Sequence, residues 1–297
     1  MLRAWLAVLA CAALTVPTAA DSGAILRVQR SSPGDLEISG DLAGLPPGSV
    51  RYVRYKDLLR LPQETYTVSD DVDLPHNAVI SGVALATLAQ LFGQAPESTL
   101  IVAISYDRYR TNYPHDYLAQ HHPLLVLRID GRLSDAWPHS EQGGPLGPYL
   151  ISHPFFKPAF KALSHDDEPQ IPFGVVRLEF RRESKVFGAI QPPGNWPAGS
   201  AVEQGYVIAR QDCFRCHNAG AKGGTKAGRD WLQLAAIAQS DAPRFRRIIH
   251  DPASVASGAK MPGEPQYDDA TLDALTAYFR TFAGSRPSPS LRSRRNP

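Results

Sequence analysis

Two thiols and an imidazole stand together at residues 213–217, in the stretch CFRCH. Cys213, Cys216 and His217 are set at a spacing that has few chemical uses. The chain has 297 residues and only three cysteines, the third being Cys11. A disulfide across two intervening residues closes a tiny loop and constrains little chain. A four-ligand zinc site needs further Cys or His at suitable spacing. A redox thiol pair has no use for the trailing histidine. Covalent attachment of a haem uses all three residues: two thiols add to two vinyl groups, and the adjacent imidazole becomes the proximal iron ligand. The expected cofactor is therefore one covalent haem c, anchored by Cys213 and Cys216, with His217 as an axial ligand of the iron.

A second axial ligand would close the coordination shell and favour electron transfer over ligand binding. The chain has two methionines, and Met261 is the one outside the N-terminal segment. It lies 44 residues after His217, in GAKMPGEP. Pro262 restricts the backbone of this glycine-flanked loop, which suits the holding of one side chain over a haem face. Met261 is the expected sixth ligand. His250, in RIIHDP, is the substitute candidate and reads better as a helix-end histidine.

The elements around these residues read as a small helical unit. Val202, Tyr206 and Ala209 share one face of a helix over 201–210 that leads into the cysteines. Trp231, Leu234 and Ile237 mark a second helix, and Phe245, Ile248 and Ile249 a third. Asp268 and Asp269 suit the start of a last helix, with Leu272, Leu275 and Phe279 on its apolar face and Gly284 at its end. Taken in order, GY at 205–206, CFRCH at 213–217, KMP at 260–262 and LDALTAYFRTF near the end resemble a class I-type cytochrome c domain over roughly 200–284. The resemblance implies the same four residues as haem anchors and axial ligands. It also raises a contact of Trp231 with a haem propionate, against the plainer reading of Trp231 as core.

Residues 21–187 carry a different pattern, with strands and helices mixed in an α+β domain. Leu36–Ile38, 66–69 and 78–80 read as strands, and Asp57–Leu61 as a short helix ended by Pro62. Leu85, Leu88, Leu91 and Phe92 form one face of a helix closed by Gly93. The apolar runs at 100–105 and 124–129 have the length of buried strands, and Val176, Leu178 and Phe180 alternate with charged residues. LEISGDLAG at 36–44, YKDLLRLP at 55–62, ISGVALATLAQLFG at 80–93, AISYDRY at 103–109 and the segment 124–154 resemble, in their order, the molybdopterin-binding domain of the sulfite oxidase family. The resemblance implies that fold and a molybdopterin. Catalytic members ligate molybdenum through a cysteine, and no cysteine lies between Asp21 and Gln211. The corresponding loop is VSDDVDLPH at 68–76, whose Asp70, Asp71 and Asp73 are hard oxygen donors and no substitute for a thiolate. These acids read as a solvated loop, His121 and His122 as polar loop histidines, and Asp166-Asp167-Glu168 as an exposed turn. Tyr106, Asp107, Arg108 and His139 are the first candidates for a pocket beside GGPLGP at 143–148.

The expected layout is a signal peptide at 1–20, the α+β domain at 21–187, a Gly/Pro linker at 188–199, the all-α cytochrome c domain at 200–284 and a basic tail at 285–297. Arg3, a short apolar run and Thr18-Ala19-Ala20 give the first twenty residues the form of an export signal, so a periplasmic or otherwise exported, soluble protein is expected. No apolar run is long enough to span a bilayer. The formal net charge is +2, and four arginines of the tail supply more than all of it, which argues against nucleic-acid binding. The expected partners are redox proteins. Two functions fit. One is a monohaem electron-transfer protein whose molybdenum-free domain serves docking or assembly. The other is a molybdopterin-dependent oxidoreductase that passes electrons from substrate to its own haem.

Overall fold

A computed structural model describes residues 25–140 and 144–284. The segments read as export signal and basic tail lie outside the described residues. The N-terminal region is a mixed sheet-and-helix unit and the C-terminal region is helical, which gives a two-domain layout.

The first sheet has the order β2-β1-β11-β5-β6, from β1 (Leu36–Gly40), β2 (Val50–Val53), β5 (Leu100–Ser105), β6 (Arg110–Pro114) and β11 (Val175–Arg181). The β1–β11 pair is parallel and the other pairs are antiparallel. The second sheet, antiparallel throughout, has the order β3-β4-β7-β8, from β3 (Glu64–Val68), β4 (Ala78–Ala84), β7 (Leu124–Ile129) and β8 (Leu150–Ser152). Between β8 and β11 lies a small antiparallel hairpin of β9 (Lys161–Ala162) and β10 (His165–Asp166). Short helices α1 (Tyr55–Leu58), α2 (Leu85–Leu91) and α3 (His115–His121) connect the strands, and α4 (Glu183–Phe187) follows β11. The helix read at 57–61 forms two residues earlier, because Tyr55 and Leu58 already supply the face that packs inward.

The two apolar runs are explained by alternation. Successive side chains of a strand point to opposite faces, so a continuous run needs two cores. In β5, Ile101 and Ala103 face a core shared with Leu36, Ile38, Leu88 and Leu125. Leu100, Val102 and Ile104 face the other way, into the core of the C-terminal helices. In β7, Leu125 and Leu127 join the central core, while Leu124 and Val126 join a third cluster with Val68, Ile80 and Leu150. Each fully buried aliphatic side chain of this kind contributes about 1.5–3 kcal/mol. The three from β5 therefore fasten the two domains together through their cores.

The C-terminal unit comprises α5 (Ala201–Gln211), α6 (Cys213–Cys216), the small hairpin β12 (Asn218–Ala219) and β13 (Lys222–Gly223), then α7 (Trp231–Ser240), α8 (Ala242–His250), α9 (Pro252–Val255) and α10 (Asp269–Arg280). Side chains start the long helices: Ser200 accepts from the Glu203 N–H, Asp230 and Gln233 form a reciprocal capping box, and Asp268 accepts from Thr271. Helices α5 and α10 cross at Gly205, where a Cβ would lie 2.2 Å from the Ala274 carbonyl oxygen. Only glycine permits that approach. In the Gly/Pro stretch before α5, Ile190 is buried in the same core and its carbonyl accepts from the Tyr278 hydroxyl at 2.5 Å.

Candidate haem c site

Helix α5 delivers the chain to a single turn, α6, that carries both cysteines. The turn is closed from below by the hairpin. The Gly224 N–H donates to the Phe214 carbonyl at 2.9 Å, and a Cβ on Gly224 would lie 1.7 Å from the Arg215 carbonyl oxygen. The Ala227 N–H donates to the Cys216 carbonyl at 3.0 Å. Phe214 points into the helical core against Phe187 and Trp231. Cys213 and Cys216 are free of any disulfide and partly exposed. Burial raises the Cys213 thiol well above its usual range, with Asp212 adding to it. Burial does the same to a smaller extent for Cys216. Both sulfurs are held as neutral thiols.

His217 follows in extended backbone. Its Nδ1 lies 2.7 Å from the Arg229 carbonyl oxygen, so Nδ1 carries the proton and donates. Burial holds the imidazole below its usual value. A neutral ring fixed through Nδ1 presents the Nε2 lone pair, which is how a metal-ligating histidine is prepared. Met261 sits 36% exposed in the loop between α9 and α10, a large apolar side chain outside the three hydrophobic cores. That loop is tied back by the Glu264 N–H, which donates to the Ile249 carbonyl at 2.9 Å. His250 is the exposed last residue of α8. Trp231 is 1% exposed among Phe214, Tyr278 and Phe279, and is a core residue. Two thiols free of any disulfide and a neutral, oriented imidazole, adjacent along one turn, fit the attachment of haem c.

The residues that join this site to the N-terminal domain were not legible in the sequence. Arg215, between the two cysteines, has a side chain only 13% exposed. Its guanidinium donates to Asp212 at 2.5 Å, to Glu168 at 2.9 Å and to the Tyr109 hydroxyl at 3.2 Å. Nearby, the Gln211 amide donates to Asp167 at 2.5 Å, and its oxygen lies 2.8 Å from His165 Nε2. His165 Nδ1 lies 2.8 Å from the Tyr267 hydroxyl, which donates to Asp212 at 2.5 Å. A continuous polar chain thus runs from the N-terminal domain to the residue before Cys213. Glu168 and Asp212 share one guanidinium, and the nearby Glu264 carboxylate accepts from the Gln266 amide at 2.7 Å. Burial and then Asp212 raise the Glu168 carboxyl above its usual range. Burial, with Asp212, pushes Glu264 up to about 7.

Several readings of the N-terminal domain need correction. Asp71 and Asp73 are each 8% exposed and form no solvated loop; Asp70 alone is exposed. The Ser152 hydroxyl donates to Asp71 at 2.5 Å, and burial pushes that carboxyl up to about 6. His121 is buried at the end of α3, its Nε2 3.2 Å from Asp167, while His122 takes the left-handed turn that ends the helix. Asp167 is buried as well, so only Asp166 of the acidic triplet is exposed. Asp107 and Arg108 face the haem-attachment loop: Asp107 pairs with Lys226 at 2.7 Å, and the Arg108 carbonyl accepts from Thr225 at 3.3 Å. Tyr106 lies over Gly144 and Gly174. His139 is exposed, with its backbone bridged to Pro145.

Residues 200–279 match the family described as cytochrome c oxidase, cbb3-type, subunit III. With the site above, they form a cytochrome c domain. No curated protein matches the chain. Among solved structures, the sulfane dehydrogenase SoxCD from Paracoccus pantotrophus matches at 17% identity over 52% of this chain, with a TM-score of 0.35. The match spans 40% of the SoxCD chain, and a likeness of this size bears on neither fold nor activity. Among the described residues, no helix is long and apolar enough to cross a membrane.

Proposed function

We propose that the protein is an exported monohaem c-type cytochrome that passes single electrons between redox proteins, with the N-terminal domain as a docking platform fixed to the haem domain. Cys213 and Cys216 would anchor the porphyrin by thioether bonds, and His217 and Met261 would ligate the iron. Bound haem c supplies the one-electron iron couple. The chain's own residues do the rest. Arg229 holds the His217 proton on Nδ1. Gly224 lets the hairpin brace the cysteine turn. Arg215 ties that turn to Tyr109 and Glu168 of the other domain.

The observation that carries this reading is the His217 ring, neutral and oriented by its Nδ1 bond directly after two unpaired thiols. We read the N-terminal domain as a sulfite oxidase-like scaffold without molybdenum, because the loop at 68–76 supplies carboxylates and no thiolate. Metal analysis of protein matured with a haem-attachment system tests both parts. One iron and no molybdenum per chain is expected. Stoichiometric molybdenum would establish the oxidoreductase reading instead, with electrons passing from substrate to the haem.

A further inference from the structure

At the edge of the first sheet, away from the cysteine turn in sequence, one carboxylate collects three guanidiniums. Asp57 is 8% exposed and lies 3.0 Å from Arg54, 3.5 Å from Arg27 and 3.5 Å from Arg60. Asp35, the other acid nearby, is occupied by Ser31 and Ser32, which donate to it through two backbone N–H groups and one hydroxyl. A fourth guanidinium, on Arg30, lies over the Tyr52 ring and gives one bond to the Asp35 carbonyl. Four cations therefore face two carboxylates, both already engaged.

Arg27, Arg30 and Arg54, with Val28, Gln29 and Ser31, line an open cavity of about 400 Å³. The Nε–H of Arg27 is shielded from water and has no acceptor, and a buried donor without a partner calls for an explanation. The backbone at Arg27 is fixed by reciprocal bonds with Tyr52 at 2.9 and 2.8 Å, which holds the segment in place against β2.

We propose that this cleft binds a tetrahedral oxyanion of the phosphate or sulfate type, free or as the terminal group of a larger molecule. Guanidinium forks match the paired oxygens of such an anion, and a halide has no such geometry to offer. The cavity lies in the usual size range for small-molecule sites and has room beyond a single phosphate. Val28, 71% exposed at its rim, offers apolar contact to an attached organic group.

The test is calorimetric titration of the full haem-loaded chain at fixed ionic strength, with inorganic phosphate, sulfate and glycerol phosphate as probes and chloride as control. Saturable binding of phosphate or sulfate over chloride is expected, at least tenfold weaker in Arg30→Gln and in Arg54→Gln. Tighter binding of glycerol phosphate than of inorganic phosphate would assign the site to a group on a larger molecule; equal or weaker binding would assign it to the free anion. Arg30 is exposed and does not touch Asp57, so Arg30→Gln carries the test if Arg54→Gln loses its fold. Absence of saturable binding above chloride, or affinity unchanged in Arg30→Gln, overturns the proposal.

Discussion

Replacing Arg215 with Met keeps most of the side-chain volume and removes the guanidinium. Asp212 and Glu168 then lose the cation that lies 2.5 and 2.9 Å from them, and Tyr109 loses its donor at 3.2 Å. Breaking a buried ion pair by removing one partner costs about 3–5 kcal/mol. The Glu168 side chain is 34% exposed, and water screens part of its share, so the low end, about 3 kcal/mol, applies. For a unit of this size, each kcal/mol shifts Tm by about 2–4 °C, which gives a loss of about 6–12 °C at neutral pH. The assay is thermal unfolding of the holoprotein followed by far-ultraviolet circular dichroism, at pH 7.5 and at pH 5. Glu168 already has a raised pKa from burial and from Asp212, and without Arg215 it rises further. At the lower pH its raised carboxyl binds a proton more readily than at pH 7.5, the repulsion falls, and the deficit shrinks. A variant within about 2 °C of wild type at both pH values would refute the claim that Arg215 joins the domains. A deficit of equal size at both would show that charge is not its cause.

Glu264 supplies a pH test with a definite sign. Its carboxyl is raised to about 7 in the folded protein from an ordinary 4.5, so folding favours the protonated form. Stability from this group is intact below pH 4.5 and is lost as pH rises to about 7; solvent screening of this half-buried carboxyl cuts the ceiling of about 3 kcal/mol to about 1–2 kcal/mol. Glu264→Gln should therefore gain stability over wild type at pH 7.5 and little at pH 4.5, in paired urea titrations; a gain independent of pH would contradict the assignment. Gly205→Val places side-chain atoms where a Cβ alone would be 2.2 Å from the Ala274 oxygen, so α5 and α10 must separate, at a cost of about 3 kcal/mol or more. A wild-type urea midpoint would show that the crossing is looser than described. Met261→Ala should abolish the sulfur-to-iron band at the red end of the oxidised spectrum and lower the reduction potential. Survival of that band would remove Met261 from the iron.

The cytochrome half was the more legible, because its chemistry is written in adjacent residues. CFRCH, the helical spacings and the acids before the last helix are local signals, and each element forms where they point. The apolar run LIVAIS was recognisable as a buried strand, but periodicity alone does not say that its two faces enter different cores. Arg215, Glu168, Tyr109 and His165 gave no signal at all. Their role arises from tertiary contact between residues more than forty positions apart, and a charged residue is read as exposed unless its partners are known. The same rule failed at Asp71 and Asp167. Ser152 beside one, and His121 and Gln211 beside the other, make burial tolerable by accounting for their oxygens.

The mass of the intact chain, purified from a host that attaches haem c and denatured before measurement, tests the central claim most directly. The account predicts a chain heavier by one haem, with the increment lost in the Cys213→Ala, Cys216→Ala double variant. A colourless product of unmodified mass, from a host shown to mature another c-type cytochrome, would contradict it.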